Sequence, residues 1–325
     1  MGERIAKDFS LVCRQQRVAH ACAKRRVPRL LRGTIWNGDE RALKVLITGA
    51  SGMVGRAVVE QCAAQGDELF AHDHESLDIT HHEAVKIAFE RARPQAVINC
   101  AAWTDVDGCE SDQQRAYAVN AQAVANLAAS SRHVGAVFVT ISTDYVFDGL
   151  KEGFYTQRDD PNPTSVYGAA KLEGERRAQA ASARTIIART GWIFGMGGRN
   201  FLSTVIERAR RGERLKAISD AYGTPTFADD LAKRLRELAR QDIPGIYHIV
   251  NSGAGVSYEE FTRAALKAAH CGEVEIESVR LDALQRPAQR PRNSRLRCLL
   301  SEALGLPALP DWEQALTIFA AQSFK

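Results

Sequence analysis

Thr143, Tyr167 and Lys171 are the residue types that together can reduce a carbonyl group. Tyr167 and Lys171 stand four apart, so a helix would put both side chains on one face. A free tyrosine has a pKa of about 10, too high for efficient proton transfer at neutral pH. A neighbouring ammonium favours the phenolate and would lower that value. Thr143 follows the apolar run Ala136–Ser142, which reads as a strand. Its hydroxyl would then stand at the carboxyl end of a sheet, where open α/β sheets bind ligands. Tyr-x-x-x-Lys alone recurs on many solvated helices. Its weight here comes from following a glycine loop and a strand that leads into Ser142-Thr143.

Reduction needs a hydride source, and the glycine loop supplies a place for one. Gly49, Gly52 and Gly55 form G-x-x-G-x-x-G directly after Lys44–Thr48 and at the opening of a helix. Glycines at that spacing let a pyrophosphate approach the backbone and rest on a helix N-terminus. The strand–turn–helix context distinguishes this match from a chance glycine-rich turn. At the end of the next strand stands His72-Asp73-His74. Asp73 would favour NADH, because its charge repels a 2′-phosphate. Either histidine, if protonated, would partly offset that charge, which leaves the choice between NADH and NADPH open at this point.

The elements that must position these groups alternate regularly. Lys44–Thr48, Glu68–His72, Ala96–Cys100, Ala136–Ser142 and the run starting Thr185–Ala188 read as buried strands. Between them the spacing predicts helices over Met53–Gln65, ending at Gly66, over Ala84–Ala92, stopped by Arg93-Pro94, over Ala116–Ser131 and over Ser165–Ala181. This rhythm implies an α/β fold with a doubly wound parallel sheet of the Rossmann type. After Arg189 the regularity falls. Helices fit Phe201–Arg211, Ala228–Arg240, Tyr258–Ala269 and Trp312–Ala321, while Leu284–Arg297, with two prolines and five arginines, is irregular. A dinucleotide-binding domain over 43–190, rejoined by about 221–250, and a smaller mixed α/β substrate-binding lobe over 191–220 and 251–325 account for the pattern.

Composition narrows the class further. The 325 residues are 45% hydrophobic and 25% charged, as in globular proteins. No apolar run approaches the roughly 20 residues needed to cross a bilayer, so no membrane partner is expected. The net charge of +4 is uneven. Residues 1–42 carry ten basic residues against four acidic ones, so the rest of the chain is at −2 and offers no general nucleic-acid surface. This leader has three readings: a transit peptide, a nucleic-acid-binding arm, or a disordered leader or upstream start codon. The last is the reading adopted. The seven cysteines form no C-x-x-C pair and have no histidines at zinc spacing. They read as reduced residues of a cytoplasmic protein without a metal site.

The order of motifs resembles an extended short-chain dehydrogenase/reductase. More narrowly, Ser142-Thr143-Asp144-Tyr145-Val146-Phe147-Asp148-Gly149 resembles the dTDP-4-dehydrorhamnose reductase family. The stretches 99–107, 189–192, 223–226, 245–248, 290–294 and 309–312 carry the same likeness, which covers about residues 43–320. The resemblance implies NAD(P)H-dependent reduction of the 4-keto group of a nucleotide-linked 6-deoxysugar, with NADPH as cofactor and NADH as the alternative. By residue, it implies Tyr167 as proton donor, Lys171 on the nicotinamide ribose and tuning Tyr167, and Thr143 at the substrate carbonyl. Met53 and Val54 would join Gly49, Gly52 and Gly55 along the pyrophosphate, Asp78 and Ile79 would lie near the adenine, and Ala101 and Ala102 beside the nicotinamide. Thr104, Asp144, Tyr145 and Trp192 fall at substrate-side positions, although Tyr145 and Trp192 could equally be packing aromatics. Asp105 and Asp107 could equally cap the helix after them.

The sequence also departs from the family pattern. The Thr48-Gly49-Ala50-Ser51 start looks more like the sugar-epimerase branch. Some members hold magnesium between subunits through glutamates, but Arg56 and Ala57 follow Gly55 here, and Glu313 alone cannot make that site. No metal is therefore expected; the sequence is compatible with a homodimer and leaves the oligomeric state open. Two alternatives stand beside the reductase reading. One is a sister 4-ketoreductase or epimerase on another nucleotide sugar; the other is a non-catalytic regulatory subunit, as in the methionine adenosyltransferase β subunit.

Overall fold

Strand β1 (Lys44–Thr48) shows why the main sheet forms: Val45 and Ile47 face one helical layer while Leu46 faces the other. Such doubly buried strands need continuous apolar runs, and the next strands have them. These are β2 (Glu68–His72), β3 (Ala96–Asn99), β4 (Val137–Thr143) and β5 (Thr185–Thr190). The computed structural model describes residues 42–198 and 200–323, and the leader lies outside them except for Ala42. Short strands β6 (Ile193–Phe194), β7 (Leu215–Ile218), β8 (Tyr222–Gly223) and β9 (Thr226–Phe227) follow, then β10 (Gly245–His248), β11 (Val256–Ser257) and β12 (Ile276–Val279). Among the described residues the main sheet is six-stranded and wholly parallel, in the order β10-β5-β4-β3-β1-β2.

Helices cover both faces of this sheet. On one side lie α1 (Met53–Ala64) and α8 (Ala228–Gln241), whose Val58, Leu231, Leu235 and Leu238 pack on Val45, Ile98 and Ile186. On the other lie α2 (His82–Ala92), α5 (Ala123–Val134) and α6 (Val166–Ala181), which contribute Phe89, Leu127 and Ala178. Asp67, just before β2, accepts both Arg236 of α8, at 2.6 and 2.8 Å, and the Leu43 amide, at 2.9 Å. That buried carboxylate ties the start of the sheet to its outer helix.

One expected helix is broken. Instead of a single helix over Ala116–Ser131, the chain forms α3 (Val106–Ser111), α4 (Gln113–Tyr117) and a π turn at Ala118–Gln122 leading into α5. Asp105 and Asp112 cap α3 and α4 by accepting the Gly108 and Arg115 amides. The π turn sits where the Asn120 carbonyl presses on α6 at Gly174, where a Cβ would lie 2.1 Å from that oxygen. The Asn120 side chain meanwhile grips both the N–H and the C=O of Trp103.

A second apolar cluster gathers later segments. Phe194, Phe227, Phe261, Trp312 and Phe319 pack together with α7 (Phe201–Arg210), α9 (Tyr258–Ala268) and α11 (Trp312–Ser323). Strands β7 and β12, about sixty residues apart in sequence, pair in parallel beside it. The stretch Leu284–Arg297 carries no helix or strand, as its prolines dictate, and a short helix α10 (Leu299–Leu304) follows it.

Candidate active site

The carboxyl ends of β1, β3 and β4 carry a buried polar row. The Thr48 hydroxyl donates to Asn99 Oδ1 at 2.6 Å, and Asn99 Nδ2 donates to Thr140 at 3.0 Å. Asn99 Oδ1 also accepts the Ala101 amide, which fixes the chain beside the glycine loop. These bonds satisfy groups that would otherwise be costly inside the protein. They also hold in place the two loops that a dinucleotide would touch.

The three loop glycines have different tasks. Gly49 has φ of +70°, and a Cβ there would meet the Ala101 amide at 2.6 Å. At Gly55 a Cβ would lie 2.0 Å from the Gly49 carbonyl oxygen. Both residues are therefore required by the packing of the loop on itself. Gly52 differs: it is exposed, and a Cβ would meet only the Gly49 oxygen, at 3.3 Å. It is also the N-cap of α1 without a side-chain cap, so Met53 and Val54 open the helix with uncovered polarity. An open glycine at a helix N-terminus suits an approaching pyrophosphate.

Beyond β2, Asp73 is held as a carboxylate by its own turn: Ser76 donates from its hydroxyl and its amide, and these bonds depress the acid's pKa. Burial lowers the pKa of His72, so that ring resists taking the charge that would offset Asp73. Asp78 accepts the amide and hydroxyl of Thr80. Ile79 is 5% exposed and packs in the core with Val85 and Phe89, which leaves its backbone as the part a ligand could meet.

Thr143, Tyr167 and Lys171, the expected reducing residues, lie around the end of β4. Thr143 is the last residue of that strand, pairing with Thr190, rather than the residue after it. The Ser165 hydroxyl accepts the Gly168 amide and starts α6, and Glu110 accepts the Val166 amide. This capping places Tyr167 near Thr143, whose hydroxyl is the neighbour that favours the ionised phenol. The same threonine donates to Asp144 Oδ1 at 3.0 Å and accepts the Tyr145 amide. Asp144 is buried, and its Oδ2 has no hydrogen-bond partner. Burial raises its pKa to about 6, against the opposing pull of the Ser294 and Thr143 hydroxyls. Lys171 Nζ donates to the Ile141 carbonyl at 2.7 Å.

One electrostatic expectation is corrected. The Tyr167 phenol is pushed above its ordinary range by burial, helped by Asp144 and Cys109 and opposed only by the Thr143 hydroxyl. Lys171 is not among the groups acting on it. Lys171 is itself brought down to about 8 by burial, with Glu175 and Cys100 working in the other direction. Desolvation thus outweighs the proximity argument made from spacing. A phenol that keeps its proton at neutral pH is the form a proton donor needs.

Facing this trio are the substrate-side candidates. Tyr145 meets the Tyr167 ring edge-on at 6.1 Å. Trp192 stacks on Tyr258 at 3.8 Å, and its indole N–H reaches Ser294. It packs and lines at once, since Tyr145, Trp192, Tyr258, Arg286 and Arg290 share one crevice. A depression of about 400 Å³ adjoins it between Asp148 and Arg292. Thr104, exposed, follows Ala101 and Ala102 on the loop after β3. A broader depression of about 920 Å³ near His270 contains none of these residues.

Sequence reasoning missed Arg290 as a partner for Asp107. Asp107 accepts Arg290 through both oxygens, at 2.6 and 2.7 Å, which brings its pKa down to about 2. That bond joins α3 to the arginine–proline stretch across the crevice. Asp105 only caps. Asp105→Ala should therefore cost about 0.5–2 kcal/mol in stability, read by urea unfolding, while the Asp107–Arg290 contact persists.

Comparisons with known proteins find related sequences and folds. The family model described as RmlD substrate binding domain matches residues 43–324. A dTDP-4-dehydrorhamnose reductase of Streptomyces griseus is 37% identical over 278 residues, covering 84% of this chain and 91% of the relative. A probable dTDP-4,6-dihydroxy-2-methyloxan-3-one 4-ketoreductase of Streptomyces antibioticus is 36% identical over 276 residues, covering 84% and 93%. The crystal structure of dTDP-4-dehydrorhamnose reductase from Bacillus anthracis in complex with NADP superposes with a TM-score of 0.84 at 32% identity, covering 87% of this chain and all of that one.

Proposed function

Because the chain belongs to the RmlD substrate-binding-domain family, that of the dTDP-4-dehydrorhamnose reductases, we propose that it reduces the 4-keto group of a dTDP-linked 6-deoxysugar. The leading substrate is dTDP-4-dehydro-L-rhamnose, and the product dTDP-L-rhamnose. The observation that carries this reading is the Tyr167 phenol against the Thr143 hydroxyl at the sheet end, with Lys171 one turn along.

In this reading the half bearing the main sheet holds the dinucleotide, and the later lobe holds the sugar nucleotide. Gly49, Gly52, Met53, Val54 and Gly55 cradle the pyrophosphate, with Asp73, Asp78 and Ile79 toward the adenosine and Ala101 and Ala102 beside the nicotinamide. The nicotinamide supplies the hydride when bound. Tyr167 gives its proton to the oxygen that becomes the alcohol, and Thr143 steadies the charge growing there. Lys171 holds the nicotinamide ribose through its ammonium. Thr104, Asp144, Tyr145 and Trp192 contact the sugar nucleotide.

NADPH is the proposed cofactor, as in the Bacillus anthracis complex, with NADH the alternative that a charged Asp73 favours. The likeness to the Streptomyces antibioticus 4-ketoreductase keeps a sister dTDP-sugar ketoreductase as the second reading. Free thiols at Cys62, Cys100, Cys109, Cys271 and Cys298 support work in the cytoplasm.

The test is NADPH and NADH oxidation over a panel of dTDP-, UDP- and GDP-linked 4-keto sugars. Fastest turnover on the dTDP-linked rhamnose precursor is expected. Oxidation on none of them, together with a co-purifying enzyme, would instead favour a regulatory subunit.

A further inference from the structure

Lys171 is 5% exposed, and among the described residues its hydrogen bond goes to a neutral carbonyl. A buried ammonium of that kind sheds its proton unless a counter-charge stands near. Tyr167, on the same helix, keeps its proton and offers none. Cys100, beyond β3, has its thiol pushed up to about 12 by burial and stays neutral. Among the described residues the carboxylate acting on Lys171 is Glu175, a further turn along the same helix face and 3% exposed.

Glu175 is held in place from the sheet. Its Oε1 accepts the Ser142 hydroxyl at 2.5 Å and Arg189 Nε at 3.0 Å, while Oε2 accepts Arg189 at 2.7 Å. Ser142 directly precedes Thr143, and Ser142, Arg189 and His248 lie side by side in register across β4, β5 and β10. His248 adds no charge, because burial and Arg189 press its pKa down to about 3. The buried cluster therefore holds one acid and two cations, Arg189 bonded to Glu175 and Lys171 one helical turn before it.

We propose that Glu175 is a positioning residue for the reaction: from inside the protein it stands as the counter-charge one helical turn from Lys171 and, through Ser142, fixes the strand end that carries Thr143. The proposal rests on the reading that Lys171 grips the cofactor ribose. An ion pair that merely holds the fold would leave the Lys171 titration where it is, and that difference is measurable.

The experiment measures NADPH and NADH dissociation constants by fluorescence across pH 7–10, with no sugar present. In the wild type, affinity should weaken as pH rises through about 8, where Lys171 loses its proton. Glu175→Gln should move that midpoint down by about one pH unit, which at pH 8 is several-fold weaker binding. Glu175→Asp should restore part of the shift. Glu175→Gln also strands a buried guanidinium, so the double variant Glu175→Gln/Arg189→Met is measured beside it and should shift downward too, by less than the single variant because a positive charge leaves with the acid. Midpoints that coincide with the wild type in the folded Glu175→Gln or Glu175→Asp variant would overturn the proposal while leaving Lys171 in the cofactor site. A wild-type affinity flat across the range would remove Lys171 from that site, and the proposal with it. Failure of all three variants to fold would assign the pair to the fold alone and overturn the proposal as well.

Discussion

Tyr167→Phe is expected to lower kcat for keto-sugar reduction by about 10²–10⁴-fold while NADPH and NADH still bind. At about 1.4 kcal/mol per tenfold, that is roughly 3–5 kcal/mol of lost barrier lowering. The change removes one oxygen and keeps the ring that meets Tyr145 edge-on, so the fold should survive. The size of the loss follows from the state of the phenol. Burial holds its proton firmly, and the Thr143 hydroxyl is the neighbour that eases its release. An alkoxide forming beside it would take that proton directly, with no water needed as donor. Single-turnover kinetics at saturating cofactor isolate the chemical step. Turnover within a few-fold of the wild type would take Tyr167 out of the mechanism.

The placement of Thr143, Tyr167 and Lys171 at one sheet end was legible because residue type, order and spacing sufficed. Tyr167 and Lys171 share a helix face by arithmetic, and the apolar run before Thr143 could only be a buried strand. The sign of the pKa shift on Tyr167 was not legible, since it depends on how much water reaches the phenol, and that is decided by segments far away in sequence. The same holds for Glu175. Its spacing from Lys171 is plain in the sequence, but its partner Arg189 comes from β5 and Ser142 from β4, and only the sheet brings them together.

The fold divides in the same way. Strands β1 and β2 coincide with their apolar runs, and Ser165 announces α6. Helix α3 was missed because Val-Asp-Gly-Cys-Glu-Ser has a glycine and no apolar period, and its stability comes from the Asp105 cap and from Cys109 packing beside Tyr167. Strands β7 and β12 were missed because each is short and acquires its ladder only from the other. The break at Asn120 depends on Gly174, more than fifty residues away, and local propensity carries no trace of it.

Gly55→Ala should both destabilise the protein and weaken dinucleotide binding, whereas Gly52→Ala should affect binding alone. The added methyl at Gly55 would fall 2.0 Å from the Gly49 oxygen and 2.8 Å from Ala50 Cα, both backbone. Gly49 cannot retreat freely, because it already abuts the Ala101 amide and holds a left-handed φ. Overpacking of this kind costs about 1–3 kcal/mol. Relief must come from moving the loop, which misplaces the α1 N-terminus and should weaken cofactor affinity by about tenfold or more, ~1.4 kcal/mol. At Gly52 the backbone has φ of −72° and ψ of 163°, open to any residue, so stability should change little. Its methyl would instead project from the exposed side of the loop, where the pyrophosphate is proposed to pass. Urea unfolding and fluorescence titration of both variants separate the two roles. Normal cofactor affinity in Gly52→Ala would mean that the pyrophosphate does not cross the loop at that glycine.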